Sequence, residues 1–484
     1  MKKYLMRSGI NPLEYKTPKD LIGKDFIGTN SGNLIYAYGI YRNLVSENVE
    51  IHSDNYAINF SEIEYINNNY DGYIIALADA IRSDFMGQLR LLTKMIKQLD
   101  IPVYLIGMGI RAPYNVDHET LSFDFDDTVR EFVKAVLEKS EIVGLRGKIT
   151  AQYLSNLGFI EGKDHIAIGC PSMYTFGPNL KIKNSEILTD TSLITTNLSK
   201  PAPKSVKKYI SNIHHNYKKA TFLPQGYDEF KLLYSGSSTF FSEDYPSSLE
   251  DIQYSTGNPK FFLNAPTWID FMKTVDFSFG TKLHGNITAT IAGTPSITIP
   301  LDARMRELVE YHNLTSLELE KFDDSKTLQQ LISEADIHAP EEKQKENYEK
   351  FIDFLKANHL EPVVQVPGQK IYADELLENS TLYPVITSSI DTTEEEKAIR
   401  MANLNSGNFA KESNLRMAID RLKGNNAKLQ NRNIELRKKL EKATMEINIK
   451  STENQKIQQK QQKQEELLNQ IEKNFLELNL LMKD

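Results

Sequence analysis

The sequence predicts an α/β fold of two doubly wound, Rossmann-like domains followed by a C-terminal α-helical coiled coil. Two observations predict the body: short apolar runs alternate with amphipathic helical stretches from Asp25 to Tyr174, and the same alternation restarts near Ser192. A third predicts the tail, where Leu415, Leu422, Leu429 and Leu436 are spaced by seven.

In the first half, Tyr73–Leu77 reads as a buried strand and Met86–Leu99 as an amphipathic helix. Pro102 opens the strand Val103–Ile106, which runs into Gly107-Met-Gly109. Thr128–Lys139 is a second amphipathic helix, then come the strand Ile142–Leu145 and the helix Ala151–Leu157, closed by Gly158. Strand and helix alternating at this spacing imply parallel strands joined by crossover helices. The second half repeats the pattern, with strands at Ser192–Thr196, Ala220–Leu223, Phe261–Leu263, Asp276–Phe279 and Ser296–Ile299. Its helices are Ser205–Tyr217 and those opening at Pro266, Gly285 and Ala303. The expected boundaries are a first α/β domain over 1–180, a second over 181–360, a linker or strap over 361–393 punctuated by Pro362 and Pro384, and a coiled coil over 394–484.

Composition narrows the function. Of 484 residues, 40% are apolar and 25% charged, which is ordinary for a globular protein with a large core. A net charge of −8 argues against general affinity for nucleic acid. Cys170 is the single cysteine, so no intrachain disulfide forms, which suits a reducing compartment. Met1–Ile10 is polar and basic with no apolar run behind it, and nothing is long and apolar enough to span a bilayer. These features predict a cytoplasmic protein with no transmembrane segment, peripheral contact with the inner face of the membrane being left open.

In the tail, leucine at heptad position d faces Ile419, Asn426, Asn433 and Leu440 at position a, in a register that continues to the chain's end. Leucine at d with asparagine at a favours a parallel two-stranded coil, hence a homodimer. The plainer alternative is a helix that folds back on itself or on the body.

The most informative stretch is Phe279-Gly-Thr-Lys282-Leu-His284-Gly285-Asn286, between an apolar strand and a helix. A helix N-terminus favours an anion through its free N–H groups, here those around Gly285 and Asn286, and Lys282 adds a full charge. His284 is a titratable group beside that anion, although a histidine capping a well-packed turn is the bland reading. Arg111 and Arg146 each follow a strand, where open sheets bind ligands. Gly28-Thr-Asn30-Ser-Gly32-Asn33 opens a helical stretch and offers backbone N–H groups to a phosphate, without the Gly-Lys-Ser/Thr of a P-loop. Asp124-Phe-Asp126-Asp127 has the spacing of a metal-binding pair, but caps and first-turn charges explain it better. No cluster has zinc spacing, and there is no Gly-x-Ser-x-Gly elbow.

The segment from Gly280 to Leu308 resembles the polysaccharide pyruvyl transferase family. Its pattern of a basic residue, any residue and His, then a helix, Gly-x-Pro, a strand and Asp-x-Arg falls on Lys282, His284, Gly293, Pro295, Asp302 and Arg304. Asn30-Ser-Gly-Asn33, Leu145-Arg146-Gly147 and Gly169-Cys-Pro171-Ser172 agree with it. Lys282 stands where the family usually has arginine, and lysine cannot form a bidentate fork.

The resemblance implies a fold similar to two-domain, B-type glycosyltransferases. It implies phosphoenolpyruvate as co-substrate with no resident cofactor or metal, a sugar or lipid-linked oligosaccharide as acceptor, and a pyruvate ketal on a bacterial surface polysaccharide as product. It makes His284 the acid/base and assigns the donor to Lys282, Arg146, Gly285, Asn286 and Arg304, with Asn30, Asn33, Arg111 and Asp302 as further cleft residues. Two other readings stand beside it: a glycosyltransferase on the same scaffold using a nucleotide sugar, and a non-catalytic scaffold whose coiled coil organises polysaccharide assembly.

Overall fold

A computed structural model describes the chain except residues 186, 243, 367, 450–453 and 482–484. The chain forms two units, Met1–Leu404 and Asn405–Asp484.

The first unit holds two four-stranded parallel sheets. In the first half the strands are β1 (Lys2–Met6), β2 (Val49–Ser53), β3 (Gly72–Ala76), β4 (Val103–Ile106), β5 (Val143–Leu145) and β6 (His165–Ala167). Their order is β2-β1-β3-β4, and the β5–β6 pair joins on through the bridge between Met108 and Leu145. β3 and β4 read as unbroken apolar runs because both faces are covered. The Met86–Ile96 and Asp126–Leu137 helices close one face, and Gly32–Leu44, buried at every position but Asn33, closes the other.

In the second half come β7 (Ile194–Asn197), β8 (Thr221–Phe222), β9 (Lys260–Phe261), β10 (Phe277–Gly280), β11 (Ser296–Thr298) and β12 (Ile386–Thr387), with sheet order β11-β10-β7-β8. The strand expected at Phe261–Leu263 is outside this sheet: β9 pairs antiparallel with β12. Its backbone leaves the ladder at once because Asn264 caps the next helix, accepting from Thr267 N at 3.0 Å.

In both sheets the order of strands reverses about the first strand. In the first, β1 lies between β2 and β3; in the second, β7 lies between β8 and β10. Such switch points open a crevice at the carboxyl ends of the two central strands. Those crevices hold the candidate site.

The segment 361–393 has more structure than its irregular sequence predicts. It carries a Tyr372–Glu378 helix and β12. Val363 N donates to Asn43 O at 2.8 Å, Arg42 pairs with Asp374, and Asn264 Nδ2 donates to Tyr383 O at 2.9 Å. It is therefore a strap, tied to both halves of the first unit. The Ala339–Ala357 helix also reaches into the first half, where Asn358 Oδ1 accepts from Glu141 N at 3.2 Å and Phe351 stacks on Tyr174.

Two helices carry the stretch expected as a coiled coil. A helix over Glu394–Ile449 is followed by a second over Asn454–Leu481. The guanidinium of Arg437 lies 5.9 Å from the ring of Phe475, so the two helices are side by side there. Leu436, Asn433 and Asn474 are buried, while Leu415, Ile419 and Leu468 are exposed. The heptad position at Leu422 and the register across 450–453 lie outside the described side chains. No helix among the described residues is long and apolar enough to cross a membrane.

Candidate active site

Two cavities meet in the first unit. The larger, about 590 Å³, opens at the β1/β3 switch point and is lined by Arg7 after β1, by Ala76–Asp79 after β3, and by Asn30, Asn33 and Tyr36. The smaller, about 420 Å³, opens at the β7/β10 switch point and is lined by Ser199 and Lys200 after β7 and by Thr281–His284 after β10. Asn30, Arg111, His284 and Arg304 line both. The structure therefore brings these four predicted residues together in a common wall.

The local fold explains how His284 comes to stand there. Asn197, at the end of β7, accepts from Lys282 N through Oδ1 at 2.6 Å and donates through Nδ2 to Asn286 Oδ1 at 2.9 Å. Asn286 also accepts from Ser278 Oγ and donates to Gly280 O and Ile297 O, so its amide is fully engaged inside the sheet. Gly285 is a close-approach position, since a Cβ there would lie 2.6 Å from Gln225 Nε2 and 2.7 Å from Asn197 Nδ2. Gly285 and Asn286, expected at the donor, instead brace the turn that projects His284; neither lines a cavity.

His284 is partly accessible from the cavities yet packed against protein on its other sides. Its ring meets Tyr36 edge-on at 6.4 Å between centroids, and Nε2 lies 3.7 Å from Cys170 Sγ. Burial first, then the positive charges of Arg146 and Arg304, push the imidazole well below the usual histidine range. It is therefore neutral near pH 7.

The arginines differ in role. Arg304 lies 3.8 Å from Asp79 and 3.4 Å from Asp302. Asp302 caps the Ala303–His312 helix, accepting from Met305 N at 2.8 Å, a contact worth about 1 kcal/mol. Arg111 hydrogen-bonds Asp79, and Arg82 lies 3.7 Å from the same carboxylate. Three guanidinium groups thus share Asp79, and although burial opposes it their charges hold that carboxyl below its usual range. Arg304 also faces Asp302 and Arg82 faces Asp84, each at 3.4 Å, yet with five N–H donors apiece the guanidinium groups keep donors in excess of these contacts.

Arg146 is fully buried and lines neither cavity. It lies over Tyr36, 5.4 Å from the ring, and its Nε donates to Gly107 O at 3.3 Å. Neither terminal nitrogen has a hydrogen-bond partner among the described residues. Near it, Glu307 accepts from Thr150 N and Oγ1, and burial raises its carboxyl to about 7.

Lys282 faces the smaller cavity, but its Nζ sits 3.1 Å from the buried carboxylate of Glu229. Its charge is already matched. The Asn30–Asn33 turn is likewise occupied: Ser31 N donates to Gln225 O, Gly32 N to Asn30 Oδ1 and Asn33 N to Asn30 O. These N–H groups are not free for a phosphate, so Asn30 and Asn33 shape the wall instead. Asp126 and Asp127 are also used structurally, Asp126 accepting from Phe123 N and Tyr153 and Asp127 pairing with Arg130.

Sequence reasoning missed Arg82, Asp79 and Gln225 as cavity groups and Glu229 as the partner of Lys282. Asp79 follows β3, the one signal that could have found it. Glu229 lies on a helix with nothing local to mark it. Gln225 is buried in the smaller cavity, and its Nε2 has no partner among the described residues.

The chain pairs two switch-point crevices with a histidine, His284, on their shared wall. A model of the polysaccharide pyruvyl transferase family matches residues 30–302, more than half the chain, and the protein belongs to that family. Membership gives it a transferase-type role. Among solved structures it is similar to the UDP-GlcNAc 2-epimerase of Methanocaldococcus jannaschii, at 14% identity over 74% of this chain and 99% of that one, with a TM-score of 0.38. It is also similar to MurG of Acinetobacter baumannii (11% identity, 74% and 99% coverage, TM-score 0.34) and to a functionally uncharacterised protein of Klebsiella pneumoniae (14%, 64% and 88%, 0.35). No curated protein matches the chain.

Proposed function

We propose that the protein transfers pyruvate from phosphoenolpyruvate to a pair of hydroxyls on a sugar, forming a cyclic ketal and releasing phosphate. The observation that carries this reading is His284 on the wall between two cavities, neutral and flanked by Arg111 and Arg304. Donor and acceptor would meet across that wall.

Phosphoenolpyruvate is a compact polyanion, and the guanidinium groups of Arg304 and Arg111 would hold its phosphate and carboxylate. His284 takes the proton of the first sugar hydroxyl as that oxygen bonds to C2 of the donor. The same proton passes to C3, which becomes the methyl group. The second hydroxyl then bonds to C2 as the C2–O bond to phosphate breaks, and its proton leaves with the phosphate. A bound anion offsets the arginine charges, so the imidazolium becomes less costly once the donor is in place.

A second reading is transfer of a sugar from a nucleotide donor. Two features favour it: Lys282 is neutralised by Glu229, and the cavities far exceed a three-carbon phosphate in volume. Thermal-shift titration separates the two. A ligand at a hundred times its Kd stabilises the fold by about 2.7 kcal/mol. The pyruvyl reading expects a shift with phosphoenolpyruvate that Arg304→Ala abolishes. A shift with nucleotide sugars alone sinks it in favour of glycosyl transfer, and no shift with either leaves the scaffold reading.

A further inference from the structure

We propose that Cys170 is a positioning residue for His284: its thiol holds the Nε2–H tautomer, leaving Nδ1 as the atom that accepts the proton. The proposal deepens, and rests on, the reading of His284 as the acid/base.

Cys170 belongs to Gly169-Cys-Pro171-Ser172, a segment with no part in the mechanism so far. It is fully buried. Its backbone is fixed from behind, since Cys170 N donates to His312 Nε2 at 2.7 Å. Gly169, with φ of +72°, lets the chain pass His312 closely; a Cβ there would fall 2.3 Å from His312 Nε2. The thiol donates to Ser172 Oγ at 3.3 Å, and its sulfur lies 3.7 Å from His284 Nε2. With its one hydrogen so used, the sulfur offers Nε2 only lone pairs. That contact favours the hydrogen on Nε2, with Nδ1 of the neutral ring as the acceptor.

Nδ1 is left clear. No described residue hydrogen-bonds it, and it lies against Gly32, where a Cβ would come within 2.8 Å. That missing side chain keeps open the approach from the Asn30 turn, on the wall shared by the two cavities. Fixing the tautomer from the rear nitrogen is how a third group commonly orients a catalytic histidine.

The test reads the tautomer directly. Imidazole nitrogen and carbon shifts of the isotope-labelled full chain are recorded near pH 7.5, the His284 signals being assigned by their loss in His284→Gln. The Nε2–H form is expected in the wild type and in Cys170→Ser, and a mixed or Nδ1–H population in Cys170→Ala. Turnover in Cys170→Ala should fall about tenfold with KM little changed, and recover in Cys170→Ser. An Nδ1–H wild type, or an unchanged tautomer in Cys170→Ala, overturns the proposal. If Cys170→Ala does not fold, the wild-type spectrum alone decides. Because the shifts need no substrate, a wild type that shows Nε2–H but transfers no pyruvate would refute the proposed reaction and leave the positioning role standing.

Discussion

Lys282 and Glu229 form a nearly buried ion pair, Nζ to Oε2 3.1 Å, that ties the His284 turn to the Tyr227–Ser235 helix. Glu229 also accepts from Gln225 N at 2.9 Å and Gly226 N at 2.5 Å. Removing the lysine strands a buried carboxylate, and breaking such a pair costs about 3 kcal/mol or more. Lys282→Ala should therefore lower stability markedly, while Lys282→Met with Glu229→Gln recovers most of the loss. Denaturant unfolding of the three variants checks this; equal stability of Lys282→Ala and wild type would place Lys282 in ligand binding instead.

Burial first, with Arg146 and Arg304 adding to it, keeps His284 neutral. Arg304→Gln should raise the imidazole's titration toward the ordinary histidine value, because one of the two charges opposing its protonation is gone. In the wild type the His284 resonances should stay unmoved as pH falls from 8 to 5.5. The sign for stability follows: a histidine held down in the folded state contributes nothing above about pH 6.5, and below it the unfolded chain takes protons that the folded one refuses. His312, pushed by burial and Arg146 to about 3, acts in the same direction. Stability should fall as pH drops through the unfolded histidine range.

Glu307 has the opposite sign. Its folded value of about 7 lies above the unfolded 4.5, so its contribution is greatest below pH 4.5 and is lost as pH rises through 7. The full span is on the order of 3 kcal/mol. Glu307→Gln should flatten that part of the curve while keeping an acceptor for Thr150. Melting curves of both proteins between pH 5 and 8 test it; identical slopes would contradict the assignment.

Gly32→Ala should be tolerated by the helix it opens but not by the site. Alanine favours a helix interior by up to about 1 kcal/mol over glycine. Its Cβ, however, would lie 2.8 Å from both Cβ and Nδ1 of His284. We expect near-native melting with turnover reduced at least tenfold. Full activity would mean the imidazole has room to move.

Truncation after Leu404 should leave a monomer that still binds phosphoenolpyruvate, since every cavity-lining residue lies in the first unit. The exposed apolar positions Leu415, Ile419 and Leu468 lead us to expect the intact chain to be a dimer. Sedimentation equilibrium of both forms decides it, and a monomeric intact chain would refute the dimer.

Much of the fold was legible because buried parallel strands spell themselves out. β3 and β4 are continuous apolar runs, and the amphipathic helices between them carry a clean period. β1 and β2 escaped because lysines open one, and Glu50 and His52 interrupt the other. The Lys282–His284 motif was legible from strand end, charge and helix start together, and so was its use as the wall of a cleft. What could not be read was partnership across distance. Nothing near Lys282 announces that Glu229 will neutralise it, nor does the sequence show Arg82, Arg111 and Arg304 converging on Asp79. Asn286 looked like a ligand donor because its bonds to Asn197 and Ile297 exist only once the sheet has closed.

The wall made of Asn30, Arg111, His284 and Arg304 has a kinetic consequence. If one group must serve reactants on both of its sides, both must be present at once, and neither can leave before the other arrives. Initial rates at several fixed acceptor concentrations should then give double-reciprocal lines that intersect, with no burst of phosphate in the first turnover and no pyruvyl group retained by the protein after the acceptor is withheld.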